Sequence, residues 1–168
     1  MKEISLTQGQ VTLVDDEDYN KLVGHKWCAW WNHSTRSFYA VRNQYVDGKR
    51  RIVYMARIIT DAQSGQDVDH RNHNTLDNRH SNLRACTRSE NMCNQRKQPG
   101  HSSIFKGVYW HKQRGKWAVH IGRRGHSRYI GIFINEIDAA KAYDAAARCR
   151  FGEFASTNFP EDASDDHD

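Results

Sequence analysis

A polar segment near the middle of the chain limits what the rest of it can fold into. Between residues 68 and 91 lie an Asp-His pair, Asp69 and His70, two further histidines and a series of asparagines. Such side chains are costly to bury without partners, so this segment cannot form the centre of a large hydrophobic core. With an apolar content of 38% and a mean hydropathy of −0.90, the 168 residues favour two small cores.

Charge is distributed unevenly along the chain. Between Asn91 and Asn135 there are nine Lys or Arg residues and no Asp or Glu, whereas residues 161–168 contain five acids. Without those eight residues the formal net charge would rise from +5 to +10 (5 + 5). A basic body of this kind predicts a polyanion as partner, and the alternative is a solvated basic face kept for solubility. The acidic tail is predicted to be disordered.

Cysteine spacing and hydropathy bear on where the protein resides. Cys28, Cys86, Cys93 and Cys149 form no Cys-x-x-Cys pair, and their number is too small for a disulfide scaffold. No apolar run approaches the roughly 20 residues of a membrane span, and the first residues lack the apolar stretch of a signal peptide. We therefore expect a soluble, cytoplasmic protein with reduced thiols and no membrane association.

Residues 1–60 are predicted to form a small α+β unit. One hairpin is expected around Gln8-Gly9, and a second across Asp47-Gly48, a dipeptide typical of tight hairpin turns. A short helix should open at residues 15–18, and one or two helical turns should follow at 55–60. At least two of the three tryptophans at 27, 30 and 31 are expected in the core.

The polar segment itself has recognisable local structure. Residues 66–68 should form a short strand that delivers Asp69 and His70 at its end, and 82–86 should be extended. Thr87-Arg88-Ser89-Glu90 has the form of a capping box, which predicts a helix with Asn91 and Asn94 on one face.

A linker at Gln95–Ser103 should precede three strands, at 107–111, 117–121 and 129–133, and a helix capped by Asn135 that ends at Gly152. Alternation turns Trp117, Val119 and Ile121 towards the helix, with Val108, Trp110 and Ile130 covering them. Lys116, Ala118 and His120 should then lie on an open face. The remaining Arg, His and Tyr side chains that can join this face are Tyr109, His111, Arg114, Arg123, Arg128 and Tyr129. A sheet face with these residue types fits a DNA major groove.

The residue types of the polar segment suit phosphodiester hydrolysis. A divalent ion held by a few oxygen ligands stabilises charge on phosphate, and Asp69 and Asn91 offer such oxygens. His70, on the opposite side of the strand from Asp69, is a candidate general base. One alternative is a polar loop whose side chains only satisfy turns, and Asn94 is an alternative to Asn91. Another is a structural zinc site from His70, His73, Cys86 and Cys93, although this spacing fits no standard zinc motif.

Val68-Asp69-His70, Asn82-Leu83-Arg84 and Thr87 to Asn91 together resemble the HNH (ββα-metal) nucleases, most closely the phage homing endonucleases of that group. The resemblance implies that Asp69 and Asn91 ligate Mg²⁺, with Mn²⁺ as a substitute, that His70 activates water, and that Asn82 braces the loop orienting His70. Ala56 stands where some relatives carry a histidine that would assist leaving-group protonation or contact the phosphate. In this chain that role would rely on Arg57. The implied setting is the cytoplasm of a bacterial or phage-infected cell.

Residues 104–160 resemble the ethylene-response-factor (APETALA-type) DNA-binding domain. The matching residues are Lys106-Gly107-Val108, Gly115-Lys116-Trp117, Ile130 to Phe133, Ala139 to Ala146 and Asn158-Phe159. Tyr109 and His111 stand where arginine would be expected, so base preference does not transfer. The expected DNA contacts are Lys106, Tyr109, His111, Arg114, Lys116, His120, Arg123, Arg128 and Tyr129.

The sequence thus predicts an α+β protein in four parts. These are an HNH nuclease domain at 1–98, a linker at 99–103, a three-stranded antiparallel sheet packed on one helix at 104–160, and the tail at 161–168. The leading hypothesis is a homing-type endonuclease that acts on double-stranded DNA as a monomer or weak dimer, without a small-molecule cofactor. The alternatives are a non-catalytic DNA-binding regulator and an RNA-binding accessory protein.

Overall fold

Two units, Met1–Asn91 and Met92–Asp168, divide the chain in the computed structural model, which describes residues 1–97, 100–122 and 126–159. Both units combine helices with small antiparallel sheets, which agrees with the predicted α+β class. The predicted tail at 161–168 and Arg123 lie outside the described residues. Among the described helices, none has the length and apolar character needed to cross a membrane.

The first unit contains three antiparallel sheets and short helices. Its elements are β1 (Lys2–Ser5), β2 (Val11–Val14), α1 (Asp16–Leu22), β3 (Cys28–Asn32), β4 (Ser37–Val46), β5 (Lys49–Tyr54), α2 (Met55–Ile59), β6 (Asp67–His70), β7 (Leu83–Cys86) and the start of α3 (Arg88–Cys93). β1 pairs with β2, β3-β4-β5 form one sheet in that order, and β6 pairs with β7. Both predicted hairpin turns are confirmed, with positive φ at Gln8, Gly9, Asp47 and Gly48.

The core of this unit lies between the first hairpin, the middle sheet and α2. Its buried residues are Ile4, Leu6, Val14, Leu22, Trp27, Ala29, Ala40, Met55, Ala56, Ile59 and Leu83. The expectation that at least two tryptophans are buried there is wrong. Trp27 is buried and donates from Nε1 to the Leu22 carbonyl, 2.9 Å away, whereas Trp30 and Trp31 remain 37% and 38% exposed. Both lie on β3, an unpredicted strand, where alternation places them on opposite faces of a thin sheet.

The second unit is a three-stranded sheet against one long helix, as predicted. β8 (Val108–His111), β9 (Lys116–Ile121) and β10 (Arg128–Phe133) are antiparallel with β9 central, and α4 (Glu136–Phe151) and a short 3₁₀ turn, η1 (Gly152–Phe154), follow. The Asn135 side chain caps α4 by accepting from the Ile137 amide. The alanines of α4 let it lie close to the sheet, and the core contains Val108, Val119, Ile121, Ala139, Ala140, Tyr143 and Ala147.

Gly107 shows how closely α4 approaches the sheet. Its φ is +76°, and a Cβ atom there would lie 2.0 Å from Cδ2 of Tyr143. No side chain fits at that separation, so the glycine is required by both backbone conformation and packing.

Asp144 fastens the chain that follows α4. Its buried carboxylate accepts from the backbone amides of Asn158 and Phe159, and from the Asn158 side chain. Asn158 in turn accepts from the amide of Lys106 and donates to its carbonyl. Charge-assisted hydrogen bonds of this kind are strong, so one carboxylate holds the chain after α4 and, through Asn158, the segment before β8.

One detail of the predicted sheet faces needs correction. Ala118, expected on the open face, is fully buried because the larger Tyr109 and Ile132 lie directly opposite it on the two outer strands. Trp110, expected to cover Trp117 and its neighbours, lies edge-on against Trp117 with ring centroids 5.0 Å apart and remains 39% exposed.

The segment predicted as a linker is bonded to the second unit at several points. Lys97 Nζ donates to the carbonyls of Phe105 and Val108, and the Ser102 hydroxyl accepts from the amide of Trp110. Ser103 is buried and accepts from the Phe105 amide. These contacts order residues that their composition had indicated as a connection.

Candidate functional site

The β6–β7 hairpin positions the Asp-His pair. Asp69 lies opposite Arg84 and His70 lies opposite Leu83, so the two side chains of the pair project from opposite faces. The His70 face also carries Val68 and is turned towards the core, whereas the Asp69 face also carries Asp67 and Cys86. One strand therefore separates the predicted base from the predicted metal ligand.

Asp69 is buried and forms an ion pair with Arg84. Nε and Nη2 of Arg84 lie 2.8 Å and 2.6 Å from the same oxygen, Oδ2 of Asp69. Both side chains are less than 10% exposed, so the pair is shielded from solvent and counter-ions. The sequence offered no indication of this pairing, although Arg84 belongs to the Asn-Leu-Arg motif. A metal ion at Asp69 would have to share the carboxylate with a guanidinium.

Asn91 lies near the same face through its contact with Asp67. Nδ2 of Asn91 donates to Oδ2 of Asp67 at 2.9 Å, and the capping box between Thr87 and Glu90 holds α3 in place by reciprocal hydrogen bonds. With the amide nitrogen turned to Asp67, the Asn91 side chain also presents a carbonyl oxygen. Asp67 was not predicted as a functional residue, yet its spacing of two from Asp69 on a strand already placed both on one face.

The oxygen donors of this face match the ligand type that Mg²⁺ prefers. Asp69, Asp67 and Asn91 offer carboxylate and amide oxygens, which suit a hard cation better than zinc or copper. Cys86 on the same face is a poor ligand, because burial raises the pKa of its thiol to about 11. These residues are compatible with magnesium or manganese in donor chemistry.

His70 is buried against the loop between β6 and β7. Its Nε2 lies 3.2 Å from Oδ1 of Asn78, whose Nδ2 donates to the Thr12 hydroxyl. The ring also meets that of Tyr39 edge to face, with centroids 6.3 Å apart. Since the Asn78 oxygen can only accept, Nε2 carries a proton in this contact and Nδ1 of a neutral ring keeps its lone pair. The sequence had placed Asn78 only in a polar loop.

Burial controls the protonation of His70. It lowers the pKa of the ring below the ordinary 6.5, and the Asn78 hydrogen bond and the charges of Asp69 and Asp77 only partly oppose it. The neutral imidazole, which is the form a general base needs, is therefore favoured at neutral pH.

Asn82 braces the loop that follows His70. Its Oδ1 accepts from the Asn72 amide, and its Nδ2 donates to the carbonyl of Asp77 at 2.7 Å. Asp77 is buried and accepts from the Asn72 side chain and from Arg79, whose hydrogen bonds lower the pKa of the Asp77 carboxyl. The structure thus places Asn82 at the loop, while the direct contact with His70 is made by Asn78.

Arg57 lies in a loop contact. Its guanidinium donates to the carbonyls of Gln66, Ala62 and Gln63 at 2.6 to 2.9 Å, which holds the connection between α2 and β6. Ala56 beside it is buried in the core. A contribution of Arg57 to leaving-group chemistry stays a prediction.

A different group of possible ligands comes together elsewhere in this unit. Within the described part of the chain, Asp15, Asp18 and His80 place one ligand atom each within 4.8 Å of one another, and the four residues of the zinc alternative form no such group. His80 Nε2 lies 2.8 Å from Oδ2 of Asp18, and the His80 amide donates to Asp15. These contacts attach the loop before β7 to α1, as an ion pair when His80 is protonated.

The open face of the second sheet carries an aromatic row. His120 on the central strand meets Tyr109 and Tyr129 edge to face, with both centroid distances 5.4 Å, and Tyr129 is 49% exposed. Exposed Lys116 and Arg128 lie at the ends of neighbouring strands, Arg114 lies in the exposed turn before β9, and His111 is half-buried. The face therefore has aromatic groups at its centre and Lys116 at one end, whereas Arg128, paired with core-facing Ile121, projects from the other face.

Lys106, predicted as a DNA contact, is bonded within its own unit. Its Nζ donates to the carbonyls of Cys93 and Gln95, and burial lowers the pKa of the ammonium to about 8. The side chain thus holds residues 93–95 within its own unit.

The chain has recognisable relatives on each side of its centre. Residues 62–93 match the HNH endonuclease family. The C-terminal region is similar to AP2-like ethylene-responsive transcription factors of Arabidopsis thaliana. It is 44% identical to AIL7 over 70 residues, which are 39% of this chain and 14% of that protein. It is 40% identical to ANT over 83 residues, which are 46% of this chain and 15% of that protein. APETALA2-like protein 2 of Oryza sativa subsp. indica is 45% identical over 60 residues, which are 34% of this chain and 14% of that protein.

The chain spans only about one seventh of the length of these curated relatives. The family match is confined to residues 62–93, and the similarity to the transcription factors is confined to the C-terminal region.

Proposed function

We propose that the protein is a homing-type DNA endonuclease that hydrolyses phosphodiester bonds with a divalent metal ion. The observation that carries the proposal is the buried His70 ring, which Asn78 holds and which lies beside Asp69 on the same strand. This pairing lies inside the segment that matches the HNH endonuclease family.

The proposed chemistry needs both members of the Asp69–His70 pair to serve one phosphate. His70 takes a proton from the attacking water, and Asn78 and the loop braced by Asn82 fix the orientation of its ring. Asp69 and Asn91, with Asp67 beside them, would hold Mg²⁺ or Mn²⁺. When bound, the ion neutralises charge on the phosphate and assists the leaving oxygen.

Target recognition is assigned to the second unit in this proposal. The exposed cations of its sheet would contact phosphates, and Tyr109, His120 and Tyr129 would meet the bases. A single nuclease centre cuts one strand per encounter, so we expect a monomer or weak dimer that nicks double-stranded DNA. The domain division at 99–103 and a cytoplasmic location in a bacterial or phage-infected cell belong to the same proposal.

A specific observation favours a second candidate, a DNA-binding regulator with little or no catalysis. Asp69 is already paired with Arg84, and His70 is only 6% exposed. Both features would hinder a site that must receive metal and substrate.

Cleavage, in magnesium, of a supercoiled plasmid library with a randomised insert separates the two candidates. The wild-type chain should convert it to the nicked form, and His70→Ala should abolish conversion while DNA binding persists. His33→Ala is the matched control, because His33 is exposed in the turn between β3 and β4. If wild type and His70→Ala bind DNA equally and neither nicks it, the regulator is the correct description.

A further inference from the structure

The hairpin between β4 and β5 extends beyond the sheet to which it belongs. β3 pairs only with residues 37–41 of β4, whereas β4 and β5 continue as a regular antiparallel ribbon through the pairs from Asn43–Ile52 to Val46–Lys49. Of residues 43–52, which we term the ribbon arm, all except Val46 are exposed. Four registered pairs at about 3.4 Å per residue make an arm of roughly 14 Å.

The side chains of the ribbon arm combine cations, amides and apolar groups. One face carries Asn43, Tyr45, Arg50 and Ile52, and the other carries Gln44, Val46, Lys49 and Arg51, since directly paired residues share a face. Three consecutive cations stand against one acid, Asp47 at the turn. Tyr45 is 73% exposed and Ile52 is 46% exposed, and both lie on the same face as Arg50 and Asn43.

One face of the ribbon arm is continuous with His70. Tyr54 follows Ile52 on this face and packs edge to face against Trp30 and Tyr39, with centroids 6.1 and 5.9 Å apart. Tyr39 in turn meets the His70 ring. A ligand lying along this face would therefore extend from the arm towards the candidate base.

We infer that the ribbon arm enters the major groove of the same duplex that the nuclease site cuts, as a second recognition element distinct from the C-terminal sheet. The inference rests on the proposed function. A two-stranded ribbon fits the major groove, which is about 12 Å wide and 8.5 Å deep. Arg50 Nε donates to Oδ1 of Asn43 at 2.9 Å, so an arginine and an amide are pre-arranged side by side. Arginine reads guanine and asparagine reads adenine by paired hydrogen bonds in that groove. Lys49 and Arg51, on the other face, would contact phosphates.

The test uses the full chain and a duplex enriched by the wild-type protein from a library with a randomised core, in EDTA so that no strand is cut. The ribbon variant replaces three residues by alanine: Lys49, Arg50 and Arg51. The control variant removes three exposed cations of the same unit: Lys21, Lys26 and Arg36. Both lose the same charge, and unchanged thermal unfolding shows that both are folded.

We expect the ribbon variant to bind at least roughly tenfold more weakly than the control variant, with a salt dependence that is shallower by about one for each lost phosphate contact. Wild-type protein should protect guanine N7 from dimethyl sulfate near the cleavage position, and Arg50→Ala should lose that protection and relax base preference there.

Equal affinity of the two triple variants, or an unchanged N7 footprint, would overturn the role of the ribbon arm while leaving the nuclease proposal intact. Failure of the wild-type chain to enrich any duplex, together with no nicking of plasmid in magnesium, would overturn both.

Discussion

Replacing Arg84 by methionine tests the buried ion pair at the candidate site. Arg84 and Asp69 are 7% and 6% exposed at the side chain, and two short hydrogen bonds reach one carboxylate oxygen. Removing one partner of such a pair leaves an uncompensated buried charge, which costs about 3 to 5 kcal/mol. That is a large part of the roughly 5 to 15 kcal/mol by which a typical domain is stable.

The same hairpin region supplies a matched control. Arg88 lies 3.3 Å from Asp67, but its side chain is 79% exposed, so Arg88→Met should change the free energy of unfolding by less than about 1 kcal/mol. Urea denaturation followed by tryptophan fluorescence measures both variants. The double variant Asp69→Leu with Arg84→Met should recover much of the lost stability, because neither charge then remains. Equal losses for Arg84→Met and Arg88→Met would refute the reasoning.

Three further predictions concern other groups. Because burial lowers the pKa of His70 below 6.5, the ring stays neutral at pH 6.5. Nicking should therefore persist there and decline only at lower pH, where the ring becomes protonated. Half-loss of the nicking rate at or above pH 6.5 would contradict this. Gly107→Ala should lower the free energy of unfolding by more than about 2 kcal/mol relative to Gly115→Ala. Both glycines have positive φ, but only a methyl group at position 107 would clash with its neighbours. Similar melting temperatures of the two variants would disprove the prediction. Cys149 should react with iodoacetamide at about pH 8, whereas Cys86 should react only after unfolding; mass spectrometry of labelled peptides distinguishes them.

Local patterns were sufficient to predict several elements. The turn at Asp47-Gly48, the capping box at Thr87 and the N-cap at Asn135 depend on residues within a few positions of one another, and all three are present. Alternation also separated Asp69 from His70 correctly, because strand geometry alone decides on which side each residue projects.

Contacts between distant segments could not be predicted in this way. Arg84 meets Asp69 across 15 residues, and Asn78 is tied to Thr12 across 66, so both depend on how strands and loops come together. Lys106 matched a DNA-binding motif, yet its ammonium turns to backbone carbonyls that its sequence position does not reveal. The ribbon arm could not be predicted for a related reason. A hairpin pattern does not show where the neighbouring strand β3 ends, and so it does not show which part of the hairpin extends beyond the sheet.

The register of the β6–β7 hairpin is what both the fold and the candidate chemistry depend on. A slip of one residue would turn His70 towards the Asp69 face and place the carboxylate in the core. Two features oppose that slip: Leu83, opposite His70, is buried in the core, and the Arg71 amide donates to the carbonyl of Asn82 directly after the last pair. Asn82 therefore acts at the closing point of the hairpin as well as in the loop. The hairpin bond uses the backbone carbonyl, which any substitution of Asn82 keeps, so replacing its side chain should disturb the loop around His70 more than the register that places Asp69.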